Sequence, residues 1–496
     1  MERSCKDVQG GRESDRCHES TPLLAAWWTY LSFAILMMFG YLRDFIRRIG
    51  LETKHSALEQ NRMKDFVPLY SSFDGFYAKN IFKRLSHCYG RPICSPPTAE
   101  VDVLERTSYD ENCHFRLTGK KRRCINLASF NYLDFVGNEG PCVEATAHAL
   151  QQYGVGVCST RQELGNCSIH EELEKTTARF LGVDDAVTFG MGFCTNSLNI
   201  PVLVGGKGCL LLSDEKNHAS IVLGARLSGS VIKVFKHNDI DDLEEKLRGA
   251  ITSGRPRTHW PWRKILIIVE GIYSMEGSIV KLLDVVRLKN KYGAYLYLDE
   301  AHSMGALGRT GRGVTEYWGV GPRDVDIMMG TFTKSFGAFG GYIAGSKRLI
   351  NHLRAYSYST TYACSMSAPV AQQIISSMKI IMGEDGTNTG KLRIMRLATN
   401  VRYFRQRLRA MGFIVYGDDN SAVVPLLVFV PGKAQAIMEE LFERNIACVA
   451  GIFPATSITT GRIRIFISAA HTREMLDTVL SSISEVGDRL QLKYSL

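Results

Sequence analysis

The sequence predicts an α/β protein that has a large, mainly parallel sheet, a smaller C-terminal α+β domain and one N-terminal membrane helix. Three observations predict this: regularly spaced strand-like runs in the middle of the chain, a change to helical stretches after about residue 375, and an uncharged apolar segment near the N-terminus. The predicted division is an N-terminal tail (1–22), a membrane helix (23–42), a connecting arm (43–125), a large domain (126–375) and a small domain (376–496).

The large domain is predicted from strand candidates at 265–269, 295–298 and 326–329, which begin about thirty residues apart, the spacing of βαβ units. The first reads ILIIV, a continuous β-branched run that is typical of a parallel strand covered on both faces. A helix is predicted at 280–291, with Gly293 close after its end. Further strand candidates lie at 186–189, 209–212 and 231–235 in the same sheet, and at 423–430 and 462–467 in the small domain.

The membrane helix is predicted from residues 23–42, which contain no charged side chain. Twenty helical residues at about 1.5 Å each span roughly the 30 Å hydrocarbon core. Trp27 and Trp28 lie near one end and Arg43 follows the other, as expected of residues at a membrane interface. The length of the stretch and the lack of a small-residue cleavage site after it disfavour a signal peptide, and a buried core helix is the remaining alternative.

The composition excludes some classes of protein but does not identify the function. The chain has 496 residues, of which 45% are apolar and 22% charged, so it is neither wholly disordered nor a polytopic membrane protein. The net charge of +10 suits an anionic membrane surface, a phosphorylated substrate or nucleic acid equally. Its thirteen cysteines contain no C-x-x-C pair, which predicts neither a disulfide framework nor a zinc site and favours a reducing, cytosol-facing environment.

Polar side chains follow three of the predicted strands. His218 follows the strand at 209–212, Asp299 and His302 follow the strand at 295–298, and Lys334 follows the strand at 326–329. In open parallel sheets, ligands bind at the carboxyl ends of the strands. These four side chains are therefore expected to converge in one site.

A lysine and a strand-end aspartate suit pyridoxal phosphate chemistry. Lys334 would form the Schiff base, and Asp299 would keep the ring nitrogen protonated so that the ring can act as an electron sink. A reactive lysine must be partly unprotonated, and desolvation can lower its pKa enough. The glycines that follow Lys334 let the backbone approach a cofactor closely, and the turn GMGFCTNS at 190–197 offers N–H groups to a phosphate.

Other readings of these motifs are weaker. GMGFCT lacks the third glycine of a dinucleotide fingerprint, and the DEAH tetrapeptide at 299–302 has no phosphate-binding G-x-x-x-x-G-K-[ST] loop anywhere in the chain, so an ATPase is excluded. No H-E-x-x-H motif is present, and no metal is needed. The basic residues form no clustered stripe and no recognised module, which disfavours nucleic-acid binding.

Five ordered motifs go beyond these general arguments. They are YGVGVCSTRQELGN (153–166), SDEKNHASIVLGARLSG (213–229), VEGIYSMEGS (269–278), YLYLDEAHSMGALGRTGRG (295–313) and MMGTFTKSFGAFGGYIAG (328–345). The series resembles the α-oxoamine synthase family of pyridoxal phosphate enzymes, and within it the catalytic long-chain-base subunits of sphingolipid synthesis. The resemblance implies a fold type I pyridoxal phosphate transferase with active sites at a dimer interface.

The resemblance also implies roles for individual residues. Lys334 binds the cofactor covalently, Asp299 pairs with the pyridine nitrogen, His302 contacts the phenolic oxygen and His218 stacks on the ring. For the phosphate, the implied partners are the backbone amides of Gly192 and Phe193 and the hydroxyls of Thr331 and Thr333. For the substrate carboxylate they are Arg464 or, less favoured, Arg462.

Three residues depart from the family pattern: Phe130 replaces a usual tyrosine, Asp134 a usual glycine, and Phe339 a usually small residue. Aspartate tolerates the left-handed backbone conformation better than most residues, so Asp134 is compatible with a glycine position. The ring of Phe339, five residues after Lys334, is expected to reshape the acyl entrance.

The implied reaction is a decarboxylating condensation of L-serine with a long-chain acyl-CoA such as palmitoyl-CoA, which gives 3-oxosphinganine in the first step of sphingolipid synthesis. The implied partners are a paralogous subunit that lacks the lysine, in a heterodimer, and small regulatory membrane subunits. The implied location is the endoplasmic reticulum membrane, with the catalytic body facing the cytosol. Two alternatives stay open: a family member that uses glycine and a short acyl-CoA, which the membrane segment disfavours, and a non-catalytic scaffold subunit, which Lys334 disfavours.

Overall fold

The computed structural model describes residues 21–51 and 72–494. The predicted tail (1–22) lies almost wholly outside these ranges, as does the stretch 52–71 of the predicted connecting arm.

The N-terminal region consists of a long helix, short helical turns and a hairpin. Its elements are α1 (Leu23–Arg48), α2 (Ser72–Tyr77), α3 (Lys83–Leu85), β1 (Glu100–Thr107) and β2 (Arg116–Asn126). The antiparallel pairing of β1 with β2 was not anticipated, because charged side chains fill most of the exposed positions of EVDVLERT and RLTGKKRRCIN and hide the alternation. Only Val101, Val103 and Cys124 of the hairpin are buried apolar residues.

Helix α1 packs one face against the C-terminal part of the chain and exposes the other. Ala25 is buried in a cluster that contains Ile414, and the ring of Phe33 meets that of Phe453 edge to face at 6.1 Å. Trp27 and Trp28, by contrast, are more than half exposed. Among the described residues, the stretch Leu23–Arg47 is the one helix long and apolar enough to cross a bilayer.

The large domain alternates strands and helices. Its strands are β3 (Asp185–Phe189), β4 (Cys209–Asp214), β5 (Val231–Phe235), β6 (Lys264–Glu270), β7 (Tyr295–Asp299), β8 (Ile327–Thr331) and β9 (Gly341–Gly345). Its helices are α4 (Pro141–Tyr153), α5 (Ser168–Leu181), α6 (Gly192–Ser197), α7 (Ile200–Leu203), α8 (Ala219–Leu227), α9 (Ile240–Ser253), α10 (Leu282–Tyr292), α11 (Gly313–Trp318), α12 (Lys347–Tyr356), α13 (Tyr358–Tyr362) and α14 (Ala368–Met382).

These seven strands form one sheet in the order β3-β9-β8-β7-β6-β4-β5, and β9 alone runs in the direction opposite to the other six. The predicted parallel sheet is therefore confirmed, and all six predicted strands belong to it. Strand β9 was missed because GYIAG is short and bounded by glycines. The predicted helix at 280–291 is confirmed as α10, and Gly293 ends it in the left-handed conformation.

The sheet is covered on both faces, as its continuous apolar strands require. Alternate residues of one strand enter different cores: Ile267 packs in one cluster, and Leu266 and Ile268 pack in the other. This burial on both sides fixes the strand ends, and with them the side chains that follow.

The C-terminal domain contains α15 (Thr389–Ala410), β10 (Val423–Phe429), α16 (Pro431–Glu443), β11 (Ile446–Ala447), β12 (Val449–Gly451), β13 (Gly461–Phe466) and α17 (Arg473–Arg489). Strand β13 lies between β10 and β12, and β11 extends the β1–β2 hairpin in parallel with β2. The hairpin of the arm thus joins the C-terminal domain. The predicted boundary between 375 and 376 falls inside α14.

Candidate active site

Two carboxylates stand side by side at the carboxyl edge of the sheet. Asp299 ends β7 and Glu270 ends β6, and the two residues are register partners in the parallel pairing. Both are buried. Burial, followed by the neighbouring Asp299, raises the pKa of Glu270 well above its ordinary value.

Lys334 lies in the turn that connects β8 to the antiparallel β9. Gly337 and Gly340 in this turn have φ of +63° and +100°, a region that glycine occupies without strain. Burial lowers the pKa of Lys334 to about 8, while the charges of Asp299 and Glu270 act in the opposite direction. The amine is therefore a far better nucleophile near neutral pH than an ordinary lysine.

His302 lies between two aromatic residues that precede α4. Its Nδ1 is 2.8 Å from the hydroxyl of Tyr132, and its ring meets that of Phe130 edge to face at 5.6 Å. Burial, then the charges of Lys334 and Arg464, lower the pKa of His302 well below its ordinary value. The ring is therefore neutral near pH 7.

His218 is the N-cap of α8, and its Nδ1 accepts the backbone N–H of Ser220 at 3.2 Å. Its own backbone N–H donates to the Glu270 carboxylate. Desolvation lowers the pKa of His218, and the charge of Asp299 opposes that shift. The charges of Asp299 and Lys334 thus act on the pKa of His218, although the three residues follow three different strands. This is expected if the three side chains converge at the sheet edge.

The residues implied for a phosphate also meet. Gly192 begins α6, and a Cβ at this position would lie 2.7 Å from Thr331 Oγ1. Thr331 Oγ1 lies 2.8 Å from Thr333 Oγ1 and donates to the carbonyl of Gly340 at 2.8 Å. Phe193 follows Gly192 and packs edge to face on the His218 ring at 6.0 Å.

The two candidate arginines of β13 have different surroundings. Arg462 is buried, donates to the Met275 carbonyl at 2.7 Å and forms an ion pair with Glu276 at 3.3 Å. Arg464 has a buried Nε that finds no acceptor in the described part of the chain. Because a buried donor without an acceptor is costly, Arg464 is the arginine that is ready for an anionic ligand.

The three departures from the family pattern take distinct positions. Phe130 contacts the site directly, with its ring centroid 5.8 Å from Lys334 Nζ. Asp134 has φ of +60°, which confirms that it occupies a left-handed position. Phe339 is 51% exposed in the turn after Lys334.

Sequence reasoning missed several polar residues of the site, namely Glu270, Asn196, Ser220, Tyr297 and Tyr132. Glu270 was detectable, because it ends its strand in the same way as Asp299 does. The others lie within helices, strands or loops, where only the fold brings them to Asp299, His218 and His302.

The donor set fits pyridoxal phosphate. Lys334, whose pKa is lowered, lies near Asp299 and Glu270, which could hold a protonated ring nitrogen. Gly192 leaves a space that a Cβ would fill, and Arg464 has an unpaired Nε. This set can bind an aldehyde covalently and hold an amino acid carboxylate beside it.

Comparison with known proteins agrees with the geometry. The family model "Aminotransferase class I and II" matches residues 122–483. The chain is 54% identical over 478 residues to "Serine palmitoyltransferase 3" of Homo sapiens, covering 96% of this chain and 86% of the relative. It is 50% identical over 494 residues to "Serine palmitoyltransferase 2" of Caenorhabditis elegans, covering 99% and 88%.

The chain belongs to the serine palmitoyltransferase family. Among solved structures, it is similar to "SPT with PLP internal aldimine" with a TM-score of 0.73 and 28% identity, covering 86% of this chain and 100% of that one. A Sphingomonas wittichii serine palmitoyltransferase gives a TM-score of 0.74 at 26% identity, with 86% of this chain and 100% of that one covered. The fold is that of a type I pyridoxal phosphate transferase, and the chain is a pyridoxal-phosphate-dependent acyltransferase.

Proposed function

We propose that this chain is the catalytic subunit that condenses L-serine with a long-chain acyl-CoA, palmitoyl-CoA above all, and releases coenzyme A and carbon dioxide to give 3-oxosphinganine. The observation that carries the proposal is Lys334, whose pKa is lowered to about 8 by burial beside two carboxylates. The human and nematode relatives named above support the same function.

Each residue of the site has a proposed task. Lys334 binds the cofactor, and its neutral Nζ takes the proton from the serine Cα. Asp299 holds the positive charge of the pyridine nitrogen, and His302, with Tyr132, contacts the phenolic oxygen. Pyridoxal phosphate, when bound, supplies a ring that stabilises negative charge at the substrate Cα.

The remaining residues bind and orient. The backbone amides of Gly192 and Phe193, with the hydroxyls of Thr331 and Thr333, hold the phosphate. His218 packs on the ring face. The guanidinium of Arg464 holds the serine carboxylate, while Arg462 is already engaged by Glu276 and holds the strand instead.

The proposed setting is the endoplasmic reticulum membrane, with the catalytic body facing the cytosol. Helix α1 supports membrane anchoring, because the face that carries Trp27 and Trp28 is exposed and uncharged. An acyl chain and a water-insoluble product give a reason for such an anchor. We also propose a heterodimer with a paralogous subunit that lacks the lysine, and small regulatory membrane subunits as further partners.

The experiment is co-expression of the chain with a candidate lysine-lacking partner, followed by a product profile. Serine, alanine and glycine are each offered with acyl-CoA of several lengths, and the products are identified by mass spectrometry. The expected main product is 3-oxosphinganine from serine and palmitoyl-CoA. A main product from glycine and a short acyl-CoA would instead support the alternative family reaction, and no product from any pair would support a scaffold subunit.

A further inference from the structure

A chain of hydrogen bonds runs from Tyr297 to His218 alongside Asp299. The Tyr297 hydroxyl donates to Asn196 Oδ1 at 2.7 Å. Asn196 Nδ2 then donates both to Asp299 Oδ2 at 2.8 Å and to Ser220 Oγ at 3.0 Å. Ser220 Oγ in turn lies 2.7 Å from His218 Nδ1. One amide therefore connects the carboxylate to the imidazole.

The direction of these bonds follows from Asp299. A carboxylate only accepts hydrogen bonds, so the amide group of Asn196 that faces it is the NH₂ group, and Oδ1 is left to accept from Tyr297. Ser220 Oγ accepts from the same NH₂ group and keeps its own hydrogen for His218 Nδ1. Because the backbone N–H of Ser220 also donates to Nδ1 at 3.2 Å, two donors point at this one ring atom.

A neutral imidazole carries one proton, and Nδ1 cannot hold it while it accepts from two donors. The proton must therefore be on Nε2. The backbone of His218 is held as well, because its N–H donates to the Glu270 carboxylate. Nε2 is then the one polar ring atom left to act on a ligand, and it acts as a donor.

We propose that Asn196 and Ser220 are positioning residues that hold the His218 imidazole as its Nε2–H tautomer, and that Asn196 ties this tautomer to the position of the Asp299 carboxylate. The proposal rests on the proposed function, in which His218 and Asp299 both contact the cofactor. It adds to that function that the contact of His218 with the cofactor depends on the position of Asp299.

The charged groups around His218 are compatible with a neutral ring. Desolvation has the largest effect on its pKa and lowers it; Asp299 raises it, and Lys334 and Arg464 lower it further. Glu270 is bonded to the His218 backbone and has a strongly raised pKa, and the pKa of the nearby His302 is strongly lowered, so neither adds a full charge beside the ring near neutral pH. Because the ring is neutral, its neighbours determine which of the two ring nitrogens carries the proton.

Acylation by diethylpyrocarbonate tests the tautomer directly, because the reagent attacks a ring nitrogen that carries a lone pair. His259 is the internal comparator: it is also exposed, but its Nδ1 lies 2.9 Å from the Ser253 carbonyl, so Nδ1 carries the proton and Nε2 the lone pair. The full chain with its partner subunit is treated at pH about 8, where an ordinary imidazole is neutral. Peptide mass spectrometry gives the rate at each histidine, with the cofactor bound and after its removal.

In the cofactor-stripped protein we expect His218 to react at least about fivefold more slowly than His259, the factor that corresponds to one neutral hydrogen bond. Ser220→Ala should remove this protection. Ser220→Thr, which keeps the hydroxyl, should retain it. The matched control is Ser377→Ala, because Ser377 is equally buried and donates to the Ile374 carbonyl away from the site.

Equal rates at His218 and His259 in the unmodified protein would overturn the proposal, and this comparison requires no variant to fold. An unchanged His218 rate in a folded Ser220→Ala protein would do the same. Asn196→Leu should act like Ser220→Ala and, in addition, shift the pH midpoint of the cofactor absorbance through Asp299. Since no turnover is needed, a failure of the proposed reaction would leave the tautomer result readable.

Discussion

The two edges of the central sheet differ in whether their charged side chains have partners. A cleft of about 710 Å³ lies at the amino edge and is bordered by Lys264, Asp326 and Leu349, among others. Two of its charged side chains have partners: Lys264 donates to the Leu203 carbonyl at 2.8 Å, and Asp326 pairs with Lys289 at 2.9 Å. The carboxyl edge has instead the low-pKa Lys334 and the neighbouring unpaired Nε of Arg464. Chemistry is marked here by shifted and unsatisfied groups rather than by concavity.

The largest expected difference between the two edges comes from removing one lysine from each. Lys334→Ala should lower product formation by at least about a thousandfold, because covalent attachment and proton removal are lost together. The visible absorbance of the imine between cofactor and protein should disappear as well. Lys264→Ala is the matched control at the amino edge and should keep both activity and absorbance. Substantial turnover by Lys334→Ala with its partner present would exclude the proposed role.

The same contrast explains how much was predictable from sequence. Residues 265–269 (ILIIV) indicate a strand because their apolar run is continuous. The ends of the strands at 209–212, 295–298 and 326–329 then point to His218, Asp299 and Lys334. The β1–β2 hairpin gave no such signal, because its burial is shallow and its exposed positions are charged. Asn196 and Ser220 carry no local signal either, since their roles arise from contacts between helices and strands that are distant in sequence.

The two arginines of β13 show the same contrast between a paired and an unpaired group within one strand. Arg464→Ala should raise the KM for serine about 10- to 160-fold, because charged hydrogen bonds worth about 1.5–3 kcal/mol are lost, and should leave the melting temperature nearly unchanged. Arg462→Ala should instead lower the free energy of unfolding by about 3–5 kcal/mol, because Glu276 would be left buried without its partner. Steady-state kinetics and thermal melts of both variants measure this. A raised KM in Arg462→Ala and a loss of stability in Arg464→Ala would instead assign substrate binding to Arg462 and the structural role to Arg464.

Cofactor capture by the stripped protein should report the lysine pKa. Only the neutral amine attacks the aldehyde, so the capture rate should rise with pH and level off above about 8, rather than near the ordinary lysine value. Near pH 7 the rate should be about tenfold below the plateau. Because the charge of Asp299 favours the protonated amine, Asp299→Asn should move the midpoint to lower pH. Stopped-flow absorbance measures both, and a midpoint near 10 would contradict burial as the cause.

The smallest expected effect concerns Phe339, at the mouth of the same edge. Its ring is 51% exposed, so Phe339→Ala should change the free energy of unfolding by no more than about 0.5 kcal/mol. If the ring borders the acyl entrance, its removal should favour longer acyl-CoA substrates by about fourfold, roughly the value of one buried methylene group. Competition between two acyl-CoA lengths measures the ratio, and Tyr295→Ala, at the amino edge and 50% exposed, is the control. An equal shift in both variants would show that the preference does not arise at the carboxyl edge.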